Sequence, residues 1–462
     1  MKIKIKDVLE GVSGHLASDN EYFLEKYITG VSTDTRNLKP GELFIALKGD
    51  NFDGHDFVVS AMEKGANAAI VDESFNYSQL EIQNLIVVKD TLIALQNLAK
   101  YYKESINLKV IGITGSNGKT TTKDIIASVL SEEYNALKTE GNFNNEIGLP
   151  LTLFRLKEYH QVLVVEMGMR GIGQIEKLCT IAKPDIGVIT NIGTTHIEIL
   201  GSQEQIAAAK GELIASLPKG GLAVINGDTP YAQKISCNFQ GKTLFFGKNG
   251  SCEVLLEDEV EVNDFSSKFT VTIGDHKLNF SIPLPGEHNV YNSMAAIGIA
   301  LELGLSPEKI QEGLEKVKLS QMRLEVIKGL KESTVINDAY NANPDSMKAS
   351  LRILKQHKGK RKIAVLGNMY ELGEYTDSGH REVGNFTSKC QIDLLVTVGD
   401  MAKLIAEGAV DAGMQKEDIF ALEDNEQAIA VLKKYLNLGD IVLVKGSRGM
   451  KMEKIVNEIK AL

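Results

Sequence analysis

Two residues that close a short glycine loop are the best placed in this chain to act on phosphate. They are Lys119 and Thr120, in Thr114-Gly115-Ser116-Asn117-Gly118-Lys119-Thr120-Thr121. An apolar run at 110–113 precedes the loop, and Ile125, Ile126, Val129 and Leu130 follow it at helical spacing. Strand, glycine loop and helix in that order aim backbone N–H groups and a helix N-terminus at an anion. Lys119 would reach the β- and γ-phosphates of a nucleoside triphosphate, and the Thr120 hydroxyl would ligate Mg²⁺. The generic phosphate loop has glycine five positions before Gly118. Ile113 stands there, so this loop is the shorter Gly-x-x-Gly-Lys-Thr.

Ligands of open parallel sheets sit beyond the carboxyl ends of the strands. Two polar residues are expected at such ends. The run 162–165 leads into Glu166, and the run 186–190 leads toward His196. A carboxylate there suits Mg²⁺, which prefers oxygen. The plainer alternatives are an exposed strand-end charge for Glu166 and a hydrogen-bonded loop histidine for His196. Lys210 is an independent clue. Ser202 and Gln205 are spaced as a helix-capping pair, and Pro218 ends the helix they start. Ile206, Leu213, Ile214 and Leu217 form its apolar stripe, and Lys210 lies in the middle of that stripe. A lysine so placed loses its charge, finds a partner or snorkels to water. A neutral amine can also take up CO₂ and become a carbamate, a two-oxygen metal ligand.

The elements that position these residues read as α/β. Residues 1–100 hold short strand candidates at 42–47, 68–71 and 85–88, separated by turn signals. Residues 101–317 alternate apolar strands with amphipathic helices, the signature of a mostly parallel sheet. Inside this stretch, 241–283 turns to period-two alternation and is expected to form an antiparallel ribbon at the sheet edge. Residues 318–462 resume alternation, with strands at 335–337, 363–366, 394–398 and 441–444. A length of 462 residues suits about three domains of ~150 residues. The net charge of −10 argues against a nucleic-acid partner. Four scattered cysteines make no Cys-x-x-Cys pair, which fits a reducing, cytoplasmic setting. No apolar stretch is long enough to span a membrane, and the N-terminus lacks a signal-peptide core.

The ordered motifs resemble those of the Mur ligases. The loop at 114–120 is followed by Asn-Asn-Glu-Ile-Gly (144–148), Glu-Met-Gly (166–168), Thr-Asn-Ile-Gly-Thr-Thr-His (190–196), Lys210 and His-Asn-Val-Tyr-Asn (288–292). Ser116 replaces the threonine usual in the family's loop. The resemblance implies ATP and Mg²⁺ as cofactors, held by Gly115, Ser116, Asn117, Gly118, Lys119, Thr120 and Thr121. Asn289 and Asn292 would hold the adenine, Arg323 would meet the phosphates and Asp338 would touch the ribose. Thr120 and Glu166 would hold one Mg²⁺; His196 and a carbamylated Lys210 would hold a second. Ser32, Thr33, Asp34 and Arg36 would bind a uridine-nucleotide precursor, with Asn144 and Asn145 nearer its reacting end.

The fold implied is a central P-loop-type sheet (101–317) between a small N-terminal α/β domain (1–100) and a C-terminal Rossmann-like domain (318–462). Three strings, 337–347, 367–373 and 445–449, stand at strand ends of that last domain; the first two resemble those of the family member that adds D-alanyl-D-alanine, and Tyr340 and Met369 within them have no assigned role. The activity implied is ATP-dependent amide ligation of D-alanyl-D-alanine to UDP-N-acetylmuramoyl-tripeptide through an acyl phosphate, in peptidoglycan precursor synthesis, by a monomer. The alternatives are another amide ligase of this kind, adding a diamino acid or extending folate, and a nucleotide switch that hydrolyses ATP only to change shape. Lys210 in its apolar stripe and the pair Asn289 and Asn292 argue against the switch. The absence of Asp-Asn-Pro-Arg argues against the diamino-acid ligase.

Overall fold

The computed structural model describes residues 1–462 except 19, 20, 79–81, 83, 258, 259, 359 and 462. Ten elements carry the residues of interest. In chain order they are β1 (Lys109–Thr114), α1 (Lys119–Leu130), β2 (Val162–Glu166), β3 (Ile186–Ile189), α2 (Gln203–Ala215), α3 (Glu287–Glu302), β4 (Thr334–Asn337), α4 (Pro344–Gln356), β5 (Lys362–Gly367) and β6 (Ile441–Lys445). The chain divides into two compact units. The first comprises Met1–Gly112, Tyr134–Met169 and Ile175–Asp185; the second comprises Ile113–Glu133, Arg170–Gln174 and Ile186–Leu462.

In the first unit a five-stranded sheet runs in the order His15–Leu16, Leu85–Val88, Ala68–Asp72, Leu43–Ile45, Val31–Ser32. All neighbours are parallel except the first pair. Leu85, Ile86, Val87 and Val88 are all buried. A continuous apolar strand of this kind is what a parallel sheet covered on both faces demands. In the same unit, Ala136–Lys138 pairs in parallel with β2.

In the second unit β3, Leu222–Asn226, Lys242–Gly247 and Val254–Leu256 pair successively in parallel. Among the described residues of 241–283, the antiparallel pairs all involve Ser267–Ile273, which pairs with Val254–Leu256, Glu261–Val262 and His276–Ile282. The expectation for 241–283 is therefore corrected in its first half. Alternation reports which face of a strand is buried and not which way the strand runs, so period two could not separate the two halves.

The C-terminal sheet runs Glu325–Lys328, β4, β6, β5, Leu394–Val398, Ile419–Leu422, parallel throughout except for its first strand. Odd and even residues of its strands feed two separate cores. Ile336, Ala364, Leu366 and Leu443 pack with Met347 and Leu351 of α4. Val335, Ile363, Val365, Val442 and Val444 pack with Ile455 and Val456. Helices on both faces of a parallel sheet are the Rossmann-like arrangement expected. The two outermost strands escaped the sequence reading. Both sit at sheet edges, and none of their residues is buried.

Candidate active site

The loop after β1 is shaped by two close approaches. Gly115 has φ +153°, and a Cβ there would run into Thr190 Oγ1. Gly118 has φ +81°, and a Cβ there would lie 2.6 Å from Asn292 Oδ1. Only glycine meets both demands. Segment 190–193 holds the loop from the side. Asn117 N donates to Asn191 Oδ1 (2.9 Å), Ser116 N donates to Asn191 O (3.0 Å), and Gly193 N donates to Ser116 Oγ (2.8 Å). Gly118 is the N-cap of α1 and offers no side-chain acceptor. No cap side chain competes there, and the positive end of the helix dipole suits an anion. Lys119 opens the helix and donates from Nζ to Gly115 O (2.7 Å). Thr120 is buried, and Arg323 Nη2 lies 3.4 Å from its hydroxyl.

A cavity of about 590 Å³ opens beside this loop, wholly within the second unit. Asn117, Gly118, Thr121, Asn289, Asn292, Arg323 and Asp338 all line it. Asn289 and Asn292 stand on the first turns of α3. Asn289 Nδ2 donates to Pro285 O (2.8 Å), and Asn292 Oδ1 accepts from Thr122 Oγ1 (3.1 Å). The Arg323 guanidinium stacks 4.1 Å over the Tyr340 ring. It is carried between two left-handed residues, Met322 (φ +59°) and Leu324 (φ +49°). Just upstream, Ser320 donates from N and Oγ to Asp124 Oδ2 on α1, both at 2.8 Å. Lys123 and Asp124 form an ion pair with both side chains fully buried.

Asp338, at the end of β4, is bound by Lys445 Nζ (2.5 Å) and Ser350 Oγ (2.7 Å). Burial pushes the Lys445 ammonium down from its usual range, and Asp338 opposes that. The sequence reading gave Lys445 no role; the signal was a lysine closing an otherwise apolar strand. His288 also lines the cavity. Burial lowers its pKa to about 4, against Asp338 and aided by Lys445 and Arg352.

Lys210 is 1% exposed, among Ile206, Ala209, Leu213 and Ile214 of α2. The helix begins as expected, with Ser202 Oγ accepting from Gln205 N (3.2 Å). Burial first, and the charge of Lys119 second, push the Lys210 amine well below its usual range. The snorkelling alternative does not hold. His196 has φ +65° and caps the short helix Ile197–Leu200. Its Nδ1 lies 2.8 Å from Glu371 Oε2, close but off the line of a good hydrogen bond. His196 holds the Glu371 carboxyl below its usual range against the effect of burial, and Arg170 adds to this. Glu371, in the string 367–373, was not singled out from the sequence.

In the first unit, Glu166 is buried rather than an exposed strand-end charge. Its carboxylate accepts from Asn144 Nδ2 (2.8 Å). Asn145 Oδ1 accepts from Gly148 N (2.8 Å) and Ile147 N (3.2 Å) just ahead of the helix Gly148–Leu153. Asp34 grips Arg36 through Nε (2.9 Å) and Nη2 (2.7 Å). Ser32 Oγ accepts from Asp34 N (3.2 Å). Thr33 lies between them, partly buried.

The donor types suit Mg²⁺. Among the described residues, no group of three or more His, Cys, Asp and Glu side chains forms a metal cage. Mg²⁺ is commonly held by one or two protein groups plus waters and phosphate oxygens, so a hydroxyl beside a phosphate loop fits it better than a closed cage does. A carboxylate near one imidazole nitrogen, as Glu371 is to His196 Nδ1, is a common companion of a metal-bound histidine, and Nε2 is the atom that would then face a metal.

Three family patterns match the chain. The Mur ligase family catalytic domain matches residues 27–113, the Mur ligase middle domain 113–300, and the Mur ligase glutamate ligase domain 322–448. UDP-N-acetylmuramoyl-tripeptide--D-alanyl-D-alanine ligase of Bacillus subtilis is 42% identical over 461 residues, covering 99% of this chain and 98% of the relative. A MurF crystal structure from Acinetobacter baumannii superposes with TM-score 0.89 at 31% identity, covering 99% of this chain and 98% of that one. The MurF ligase of Thermotoga maritima, solved in complex with ADP, gives TM-score 0.80 at 29% identity, with coverage of 93% and 96%.

Proposed function

Since the chain belongs to the Mur ligase family, we propose that it is the ATP-dependent ligase joining D-alanyl-D-alanine to UDP-N-acetylmuramoyl-tripeptide in peptidoglycan precursor synthesis. ATP would phosphorylate the terminal carboxylate of the tripeptide. The amine of D-alanyl-D-alanine would then displace phosphate from the acyl phosphate, leaving an amide. The carrying observation is the cradle built by loop 115–121, the N-terminus of α1 and Arg323, beside a buried Lys210 whose amine is pushed well below its usual range.

Within this reading, Lys119, the α1 N-terminus and Arg323 neutralise charge on the transferring phosphate. Asn289 and Asn292 hold the base and Asp338 the ribose. Lys445 and Ser350 fix where the Asp338 carboxylate points. As the family resemblance implies, Thr120 and Glu166 would hold one Mg²⁺, and His196 and Lys210 a second. Mg²⁺ contributes charge neutralisation at the phosphate oxygens. Lys210 would serve as its carbamate: the neutral Nζ adds to CO₂, an N–C bond forms and a proton leaves to water. Ser32, Thr33, Asp34, Arg36, Asn144 and Asn145 are proposed for the UDP-linked substrate. We also propose domain boundaries near 100 and 317, a cytoplasmic location and a monomeric state. Among the described residues, no helix is long and apolar enough to cross a membrane.

A phosphate-release assay tests the reading. Release should require ATP, UDP-muramoyl-tripeptide and D-alanyl-D-alanine together. Release with UDP-muramoyl-dipeptide and L-lysine or diaminopimelate at a higher kcat/KM would move the assignment to the diamino-acid ligase. Release without any amine would favour a nucleotide switch.

A further inference from the structure

Asn343 does two things with one side chain. It is the N-cap of α4: its Oδ1 accepts from Ser346 N (2.9 Å), and its own N donates back to Ser346 Oγ (3.0 Å). That capping box fixes which way the amide faces, with the oxygen turned into the helix and Nδ2 turned away. Nδ2 then donates to Asn117 Oδ1 (2.7 Å) and to Thr195 Oγ1 (2.9 Å). Asn117 belongs to the nucleotide loop, and Thr195 immediately precedes His196. Asn343 is 8% exposed, so water competes little for these bonds.

Capping alone does not call for asparagine. Serine, threonine and aspartate cap equally well or nearly so. Aspartate lacks the donors, however, and serine and threonine hydroxyls sit too close to the backbone to extend from the cap to a second partner. An amide caps with its oxygen and still has two N–H groups to give. We propose that Asn343 is a positioning residue: it couples the seating of α4 to the shape of the nucleotide loop and to the placement of His196. Asn343 is not among the residues lining the cavity. It acts through Asn117 and Thr195, so the C-terminal stretch and the loop reach their working geometry together.

The test uses the full chain and needs no ligand for its first arm. In the nucleotide-free protein, Asn343→Ser keeps a cap but removes the Nδ2 donors. Hydrogen exchange across 115–121 should speed up by about 10-fold or more while exchange in α4 stays as in wild type. Unchanged exchange across 115–121 would overturn the proposal, because a residue that only caps predicts that result. The second arm rests on the ligase reading. Asn343→Ser and Thr195→Val should each lower kcat/KM for ATP, Asn343→Ser by about 10-fold. Their combination should cost no more than the larger single loss, as expected for one shared bond. Losses that multiply would overturn the coupling. Thr195→Val leaves the cap alone, and Asn343→Thr offers a second cap. A folding failure of Asn343→Ser therefore still leaves the comparison intact. If the activity reading fails but exchange responds, the coupling stands without it.

Discussion

Lys119 and Lys210 are electrostatic neighbours: the charge of the first disfavours a proton on the second, and burial of Lys210 acts in the same direction. The phosphate-loop lysine thus lowers its neighbour's hold on a proton and favours the neutral form that can take up CO₂. Lys210→Ala should stay folded but lose activity by about 10²-fold or more, the scale for removing a group that organises transition-state charge. Added acetate or formate should restore part of it by standing in for the carbamate oxygens. Lys119→Ala should be equally inactive and should not respond to carboxylate. A fully active Lys210→Ala enzyme would end the carbamate reading.

The same lysine gives a stability prediction. Its amine titrates lower in the folded chain than in the unfolded chain. Between those two values the unfolded state holds the extra proton, so stability rises with pH across that window. Lys210→Met should therefore melt higher than wild type at pH 7, and the advantage should shrink as pH approaches the ordinary lysine range near ~10.4. Melting curves at several pH values decide it, and an advantage that grows with pH would refute the argument.

The buried pair of Lys445 and Asp338 should behave asymmetrically. Lys445→Met leaves a carboxylate buried without its cation and should cost about 3–5 kcal/mol. Adding Asp338→Asn should recover much of that loss, because no bare charge then remains. Denaturant unfolding of the two variants measures the difference; equal losses would argue that the pair is not coupled.

His288 should contribute an acid-side slope. Its folded pKa, lowered to about 4 by burial, lies below the ordinary value of 6.5. As pH falls from about 6.5 toward 4, the unfolded chain takes up a proton that the folded chain refuses, and stability drops. His288→Gln should flatten this limb and leave stability above pH 7 nearly unchanged. NMR of the imidazole should show no titration above pH 5.

Arg323→Lys tests shape rather than charge. Lysine keeps the positive charge but loses the flat face stacked on Tyr340 and the planar fork of donors. kcat/KM for ATP should fall about 10-fold, with binding of the UDP-linked peptide unchanged. Activity within twofold of wild type would show that the stack does not position the guanidinium.

Local spacing made much of this legible. A glycine loop between a strand and a helix, a capped helix with a lysine in its apolar stripe, and four apolar C-terminal strands all follow from period and type. What spacing cannot encode is which loops meet. Asn343 reaches Asn117 across 226 positions, and Asp338 reaches Lys445 across 107. Glu371 meets His196 only because two strand-end loops converge. Asn343 and Glu371 look like ordinary loop polar residues when read alone, and Lys445 shows only as a lysine closing an apolar strand. The same limit explains the strands between 242 and 256, whose alternation is indifferent to direction, and the two edge strands, whose exposed faces leave little apolar signal.

Met322 and Leu324, on either side of Arg323, both occupy a backbone region that glycine enters freely and other residues enter at a cost of about 1 kcal/mol or more. Ser320 pins the connector upstream to a buried charge pair on the nucleotide helix. Side chains there narrow the joint to a few settings, where glycine would permit a continuum. The arginine is therefore delivered by a stiff, indexed arm. Replacing Met322 and Leu324 with glycine would trade that accuracy of arrival for freedom of swing.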